Sequence, residues 1–246
     1  MRVALIADIH GNLVALDAVL DDLSRERVDR VVCLGDVAAF GPQPAEVVAR
    51  LRTLGCPVVM GDTDAALLTP ELPATHETLR RLQEIDAWTV ARVAPAGREY
   101  IGAFQPMIPI TLEGAVAMLC YHGSPRSFKD RIYATTPDDE LAGMFAGAHA
   151  RLYAGGHTHI QMVRRYGDGI VLNPGSVGLA YDRVPSPGGS DTRNPPWGEY
   201  AIVTASGTRL DITLRRTPFD VVALRRAALE SGMPYAQWWC DEWDEA

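Results

Sequence analysis

The chain has 246 residues, of which 47% are apolar, with 23 Lys and Arg against 31 Asp and Glu and a formal net charge of −8. That length fits one α/β domain, or one domain with a small cap, and the apolar content is enough for a sizeable core. The basic residues form no run, so a footprint for gripping nucleic-acid backbones is lacking and a nuclease of long polymers is disfavoured. No apolar run approaches the ~20 residues of a membrane span. Arg2 to Ala7 passes straight into Asp8, unlike a signal peptide with its cleavage site. Cys33, Cys56, Cys120 and Cys240 form no Cys-x-x-Cys pair, and free thiols of this kind behave as small hydrophobes. A cytoplasmic protein with reduced cysteines is expected.

In chain order, Val3 to Ala7 is a short apolar run that stops at a carboxylate and reads as a buried strand. Leu13, Leu16, Val19, Leu20 and Leu23 then recur at helical spacing over about 12–25, with Asn12 able to cap the N-terminus. A second strand over 31–34 ends at Gly35-Asp36. A helix over 44–54 and a third strand over 58–60, ending at Gly61-Asp62, follow. This alternation argues for a parallel, doubly wound sheet. Residues 75–93 read as a helix with a charged surface. Segments 107–112 and 115–121 form a hairpin about Glu113-Gly114, and a short helix covers 137–145. A strand over 151–154 ends at Gly155-Gly156-His157, and 161–166 pairs with 169–172 about Gly167-Asp168-Gly169. Residues 182–198 read as a long loop. Strands near 200–204 and 209–215, a helix over 219–231 and a tail with Trp238, Trp239 and Trp243 complete the chain.

Ligands in open α/β sheets gather at the carboxyl ends of strands, and here nearly every such end carries a metal-capable side chain. The first strand delivers Asp8 and His10, the second Asp36, the third Asp62. His122 follows the strand before Gly123, and His157 and His159 follow the strand before Gly155. Carboxylates mixed with imidazoles suit zinc, manganese and iron and disfavour calcium.

The segments Asp8-Ile-His10, Gly35-Asp36, Gly61-Asp62-x-Asp64, His122-Gly123-Ser124 and Gly156-His157-Thr-His159 resemble the calcineurin-like metallophosphoesterase signature. Longer stretches, including Gly35-Asp-Val-Ala-Ala-Phe-Gly-Pro42 and Asn173-Pro-Gly-Ser-Val-Gly178, resemble its small bacterial and archaeal phosphodiesterase branch, which includes proteins similar to dinucleoside tetraphosphate hydrolases. The resemblance implies a four-layer αββα sandwich over 1–246, with residues 65–105 as a cap-like insertion. It implies two divalent metal ions (manganese, iron or zinc, with nickel a further candidate). Asp8, His10, Asp36 and His159 would hold one, and Asp36, Asp62, His122 and His157 the other, with Asp36 bridging. Such a pair can clamp a phosphoryl group and hold a hydroxide in line with phosphorus. Asp36, Asp64 and His122 are the candidate catalytic residues, and Asn12 and Arg126 the candidate contacts to a small phosphorylated substrate, a nucleotide among the options. Asn12 could equally be a helix cap, Arg126 a surface ion pair, and Asp64 either a helix cap or a means of orienting a group in the site.

Two departures from the family pattern stand out. The third segment normally reads Gly-Asn-His or Gly-Asn-Cys followed by an acid, but here Asp62 replaces the neutral amide and Thr63 the histidine. Two divalent cations, three aspartates and one hydroxide would cancel in charge, which predicts tighter metal retention and less readily generated hydroxide. Thr63 cannot protonate an alkoxide near neutral pH, which favours substrates with good leaving groups: phosphodiesters or phosphoanhydrides, including dinucleoside polyphosphates. The alternatives are a phosphomonoesterase, including a protein phosphatase, and a non-catalytic scaffold like the retromer subunit similar to this fold. His76 and His149 read as solvated, Asn173 and Ser176 as turn-shaping, and the tryptophan tail as packed on the domain or on a second copy in a homo-oligomer.

Overall fold

The β1 strand (Arg2–Ile6) shows why the chain needs layers on both sides of it. Successive side chains of a strand point to opposite faces, and here both faces are apolar. Ala4 and Ile6 belong to one core and Val3 and Leu5 to another, and all four are fully buried. The computed structural model describes residues 1–69, 77–183 and 193–243, and the rest of the architecture follows from satisfying those two faces.

After β1 come α1 (Leu13–Leu23), β2 (Arg30–Cys33), α2 (Pro44–Leu54), α3 (Asp62–Leu68), α4 (Glu77–Arg92) and α5 (Pro95–Gly102). The middle of the chain supplies β3 (Ile108–Thr111), β4 (Ala117–Cys120), α6 (Asp138–Met144), β5 (Leu152–Ala154), β6 (Met162–Tyr166) and β7 (Gly169–Asn173). The last part supplies β8 (Trp197–Ser206), β9 (Arg209–Pro218), α7 (Val221–Ser231) and α8 (Ala236–Asp241). These strands form two sheets, in the orders β2-β1-β8-β9 and β3-β4-β5-β7-β6. The inward faces of the two sheets meet through Leu5, Val32, Met118, Leu152, Leu172 and Val203. Helices cover the outer face of the first sheet through Leu16, Val47, Leu51 and Leu224. On the outer face of the second, α6 brings Leu141 and Met144 against Tyr121, Tyr153 and Val171. Three stacked cores make the four-layer αββα sandwich.

The early strand–helix alternation misleads on one point. β1 and β2 do pair in parallel, but β8 enters antiparallel on the other side of β1, with Leu5 opposite Ala201. The doubly wound parallel sheet is therefore corrected to two mixed sheets. Residues 58–60 join neither sheet and make isolated bridges instead, Cys33 to Val58 and Val59 to Gln105. Helices α3 and α5 were not anticipated. The first spans two turns and shows no full period, while the second is started by Pro95 at a position where a missing N–H costs nothing. Strands β8 and β9 are longer than expected because β9 is a charged edge strand whose outward Arg209 and Asp211 hide its alternation. Thr75, His76 and most of the 182–198 loop lie outside the described residues. Leu67, Ile85, Val93, Ile101 and Phe104, all from the 65–105 segment, share the helical-side core with Ile6 and Leu51. Trp239 and Trp243 are buried in that core as well, and His149 is exposed. Among the described residues no helix is long and apolar enough to cross a membrane.

Glu199, near the start of β8, is a charged group in the wrong solvent. Its side chain is 1% exposed, and its Oε1 accepts from Arg216 Nε at 3.0 Å and Trp197 Nε1 at 3.3 Å. Burial, stronger than the pull of Arg216, pushes its carboxyl up to about 7. A folded-state value above the unfolded one favours the native state below about pH 4.5, and that contribution is lost as pH rises towards about 7. Glu199→Gln cannot ionise, so its stability relative to wild type should rise between pH 5 and pH 7.5, by at most about 1.4 kcal/mol per pH unit. Urea midpoints of both proteins at the two pH values check this, and an unchanged difference contradicts it.

Candidate metal centre

Six of the seven candidate ligands follow the carboxyl ends of strands in the two sheets, which the sandwich brings face to face, and the seventh, Asp62, opens α3. The turn after β1 is clamped to the turn after β2 by three backbone bonds: Asp8 N–H to Gly35 O, His10 N–H to Asp36 O and Gly11 N–H to Val37 O, at 2.9–3.0 Å. From the second sheet, Gly156 N–H reaches His122 O at 2.9 Å. Five of the seven ligands, Asp8, His10, Asp36, His157 and His159, have φ between 49° and 70°. Left-handed backbone is costly for residues with a Cβ and persists only where the surroundings enforce it, often at functional sites. Crowding also fixes Gly61, where an added Cβ would lie 2.0 Å from Asp36 Oδ1.

The side chains fall into two groups, Asp8, His10, Asp36 and His159, and Asp36, Asp62, His122 and His157. Within each group the ligand atoms lie within 4.8 Å of one another, and Asp36 belongs to both. Asp36 Oδ1 accepts the Thr63 N–H at 3.1 Å. Its Oδ2 lies 3.7 Å from His10 Nε2 and 3.4 Å from His122 Nε2. Asp62 Oδ1 stands 3.1 Å from His122 Nε2 and 3.0 Å from His157 Nδ1.

The imidazoles show that a cation fits here. His10 Nδ1 lies 3.1 Å from Ala39 O, and His159 Nδ1 lies 2.7 Å from Leu179 O. A carbonyl only accepts, so each Nδ1 carries the proton and each Nε2 presents its lone pair. Burial holds both rings below the ordinary histidine range, and therefore neutral. Yet the two Nε2 atoms face each other at 3.1 Å. Two lone pairs at that separation repel unless a cation lies against both. His122 makes the same donation, from Nδ1 to Leu34 O at 2.7 Å.

The carboxylates have the complementary problem. Burial, with Asp36 and Asp62 nearby, raises the Asp8 carboxyl well above the usual range in spite of His122. For Asp36 burial is also the largest influence and acts upward, but His122 and His10 together bring it down to about 2. Asp62 is lowered further, its hydrogen bonds with His122 and His157 outweighing burial. His122 is raised well above its usual value because Asp36, Asp62 and Asp8 outweigh its own burial. Three acids and four imidazoles packed this closely match the donor set of two divalent cations.

Asp64 stands behind this cluster. Its carboxyl accepts the N–H groups of Asp36, Val37 and Gly61 at 2.8, 2.9 and 3.1 Å, and it is fully buried. Burial, then Asp36, pushes it up to about 7 against the amides of Val37 and Gly61. The structure gives it both expected roles, since it caps α3 through Gly61 N–H and braces the Asp36 turn through Asp36 and Val37 N–H, with both oxygens turned to backbone. For Asn12 the structure shows the cap: its Oδ1 accepts the Ala15 N–H at the start of α1, its Nδ2 donates to Gly178 O, and it is fully buried. Arg126 is exposed and paired to Asp130 through Nε at 2.7 Å. Asn173 donates to Gly156 O and Thr158 Oγ1, and Ser176 Oγ donates to Asp8 O at 2.6 Å, so this turn supports the ligand loops from behind. Two residues escaped sequence reasoning: Phe40, stacked on His10 at 5.4 Å, and Tyr181, stacked on His159 at 4.8 Å. Phe40 lies within the Gly35-Asp-Val-Ala-Ala-Phe-Gly-Pro42 segment, whereas nothing in the sequence marks Tyr181.

Residues 1–193 match the family model of the calcineurin-like phosphoesterase superfamily domain. The chain belongs to that superfamily. A metallophosphoesterase from Sphaerobacter thermophilus is similar over 98% of this chain and 97% of its own, with 26% identity and a TM-score of 0.75. A hypothetical protein from Pyrococcus horikoshii shares the fold, with 19% identity and a TM-score of 0.75 over 95% and 94% of the two chains. An uncharacterized protein of Methanocaldococcus jannaschii is 26% identical over 181 residues, 74% of this chain and 72% of that one. As a calcineurin-like phosphoesterase, the chain is a hydrolase with a family-appropriate cluster of candidate metal ligands.

The brace gives a testable outcome. Asp64→Ala strands three buried N–H groups, each worth about 1–3 kcal/mol when unpaired. It should lower the unfolding free energy by roughly 3 kcal/mol and reduce the metal bound per chain, read by urea titration and elemental analysis. Wild-type stability and metal content together would show that the turns hold themselves.

Proposed function

We propose that this phosphoesterase hydrolyses a phosphodiester or a phosphoanhydride at a dinuclear metal centre. The observation that carries the reading is the pair of unprotonated His10 and His159 Nε2 atoms at 3.1 Å beside a carboxylate, Asp36, common to both ligand groups. Asp8, His10, Asp36 and His159 would hold one cation, and Asp36, Asp62, His122 and His157 the other. When bound, two such cations supply Lewis-acid activation of water and of the phosphoryl oxygens. The choice among manganese, iron, zinc and nickel rests with availability in the cell. Four free cysteines, three of them buried, support a reducing, cytoplasmic setting.

The chain's own residues set the class of ester. Asp36 and the three Nδ1-tethered histidines are locked by backbone contacts, so the acceptor geometry is preformed and needs little reorganisation. Thr63 occupies the position of the family's leaving-group histidine, and its N–H is spent on Asp36. Asp64 cannot take over as acid, since three amides hold it inside the protein. No side chain of this segment is placed to protonate a poor leaving group, which supports diesters and anhydrides over alkyl monoesters. The intact clustering of all four histidines argues against a degraded scaffold.

Three measurements test this. With manganese, zinc, iron or nickel, the purified protein should cleave bis(p-nitrophenyl) phosphate or diadenosine tetraphosphate faster than p-nitrophenyl phosphate, and no turnover with any metal refutes the proposal. Chelation should lower Tm, because a ligand present at about a hundred times its Kd contributes about 2.7 kcal/mol to the native state. Asp62→Asn removes one negative charge from the centre. It should raise kcat while weakening metal retention, and unchanged kinetics with unchanged metal content would overturn the role given to Asp62.

A further inference from the structure

A hydrogen bond from Nδ1 fixes one point of an imidazole and leaves its plane free to turn. A stacked neighbour fixes the plane. His10 and His159 have both. His10 Nδ1 donates to Ala39 O, and the next residue, Phe40, lays its ring on the His10 ring with centroids 5.4 Å and planes 18° apart. His159 Nδ1 donates to Leu179 O, and two residues on, Tyr181 stacks on His159 at 4.8 Å and 28°. Tyr181 N–H also reaches His159 O at 3.4 Å. The segments that carry these rings have no slack. Gly41 presses so closely on the His10 turn that a Cβ there would lie 1.8 Å from His10 O, and a Cβ on Gly178 would lie 1.7 Å from Ile9 O. Phe40 itself has a φ of 71°, costly for a bulky side chain. The other half of the centre is built differently. His122 keeps its tether to Leu34 O but stands edge-on to His157 at 5.1 Å and 64°. Among the described residues no phenylalanine, tyrosine or tryptophan ring stacks on either.

We infer that Phe40 and Tyr181 are positioning residues, each fixing the plane of one imidazole so that His10 Nε2 and His159 Nε2 stay converged on one cation. The inference rests on the dinuclear reading above and deepens it, assigning two residues outside the ligand set to one half of the centre. The need for them is the 3.1 Å separation of the two Nε2 atoms. Before a cation binds, repulsion between the lone pairs drives the rings apart, and with each Nδ1 held the motion left is a turn of the ring. That turn runs into the stacked neighbour and forfeits the offset contact that aromatic faces prefer. The backbone of Phe40 points the same way. Glycine would adopt its left-handed conformation without strain, and what glycine lacks is the ring.

Phe40 also packs on the helical-side core, so stability alone does not test this, and the readout must separate the two cations. Cobalt(II) is the probe, titrated into the metal-free protein against a competing chelator to give an affinity for each ion. Phe40→Gly, which relieves the left-handed backbone, and Tyr181→Ala should each weaken one cobalt ion about tenfold and leave the other within about twofold. Tyr181→Phe keeps the ring and should bind both ions within about twofold of wild type. Circular dichroism verifies each variant's fold. Nitrogen NMR of the metal-free protein gives a second readout. The Nδ1–H signals of His10 and His159 should be sharp in wild type and Tyr181→Phe and broadened in the variants that lack a ring, with His122 unchanged. Unchanged cobalt affinity in both ring-less variants, or equal weakening of both ions, overturns the inference. Fewer than two cobalt ions on the wild type would refute the dinuclear reading instead, and the imidazole signals would then decide the role of the two rings: broadening confined to His10 and His159 keeps it, and unmoved signals end it.

Discussion

Bringing three carboxylates and four imidazoles into van der Waals range inside a protein costs more electrostatic energy than a few hydrogen bonds return. Everything else about this fold can be read as a way of doing it. The acids repel one another, two of the histidines meet lone pair to lone pair, and desolvation penalises each ionised group. What holds them is the surrounding backbone: left-handed turns, Nδ1 atoms hydrogen-bonded to carbonyls and amides clamped by Asp64, which together take the directional freedom from the side chains. The structure therefore pays conformationally in the polypeptide for a geometry whose electrostatic reward comes from the ligand.

The two-sheet architecture is what makes such a cluster reachable. A single sheet could offer a row of strand ends, but ligands along a row diverge with the twist. Two sheets packed face to face through Leu5, Val32, Met118 and Leu172 place two rows of strand ends opposite each other, one carrying Asp8, His10 and Asp36 and the other His122, His157 and His159. Asp62 completes the set from a segment too short to form a ladder, and Asp64, two residues on, ties that segment back to the Asp36 turn. The inter-sheet core is thus part of the site's precision as well as of the protein's stability.

The ligand residues were legible because each is a chemically distinctive side chain following an apolar run, and five ordered segments constrain one another. Helices with full amphipathic periods, α1 and α2 above all, were equally plain. The partner of β1 was not, because nothing local in Tyr200 to Thr204 says which edge it will join. α3 escaped because two turns give no period. Asn12 and Arg126 each carry two readings in the sequence, substrate contact against helix cap or surface ion pair, and residue type cannot choose between them because the deciding partners, Gly178 O for Asn12 and Asp130 for Arg126, are set by the fold. Asp64 was ambiguous for the same reason: an acid just past a strand looks alike whether it faces solvent, substrate or amides.

The place of β8 beside β1 has a consequence for biosynthesis. Asp8 precedes by 168 residues the Ser176 whose Oγ holds its turn, and the same turn is held by the Val177 and Gly178 N–H groups and by a strand that ends at Ser206. Contacts separated by 168 residues cannot form on a nascent chain that has not yet emerged that far. The turn that presents Asp8 and His10 therefore gains its full support only after β8 has been made, so the candidate ligands of the two sheets come together late in synthesis rather than as each strand emerges.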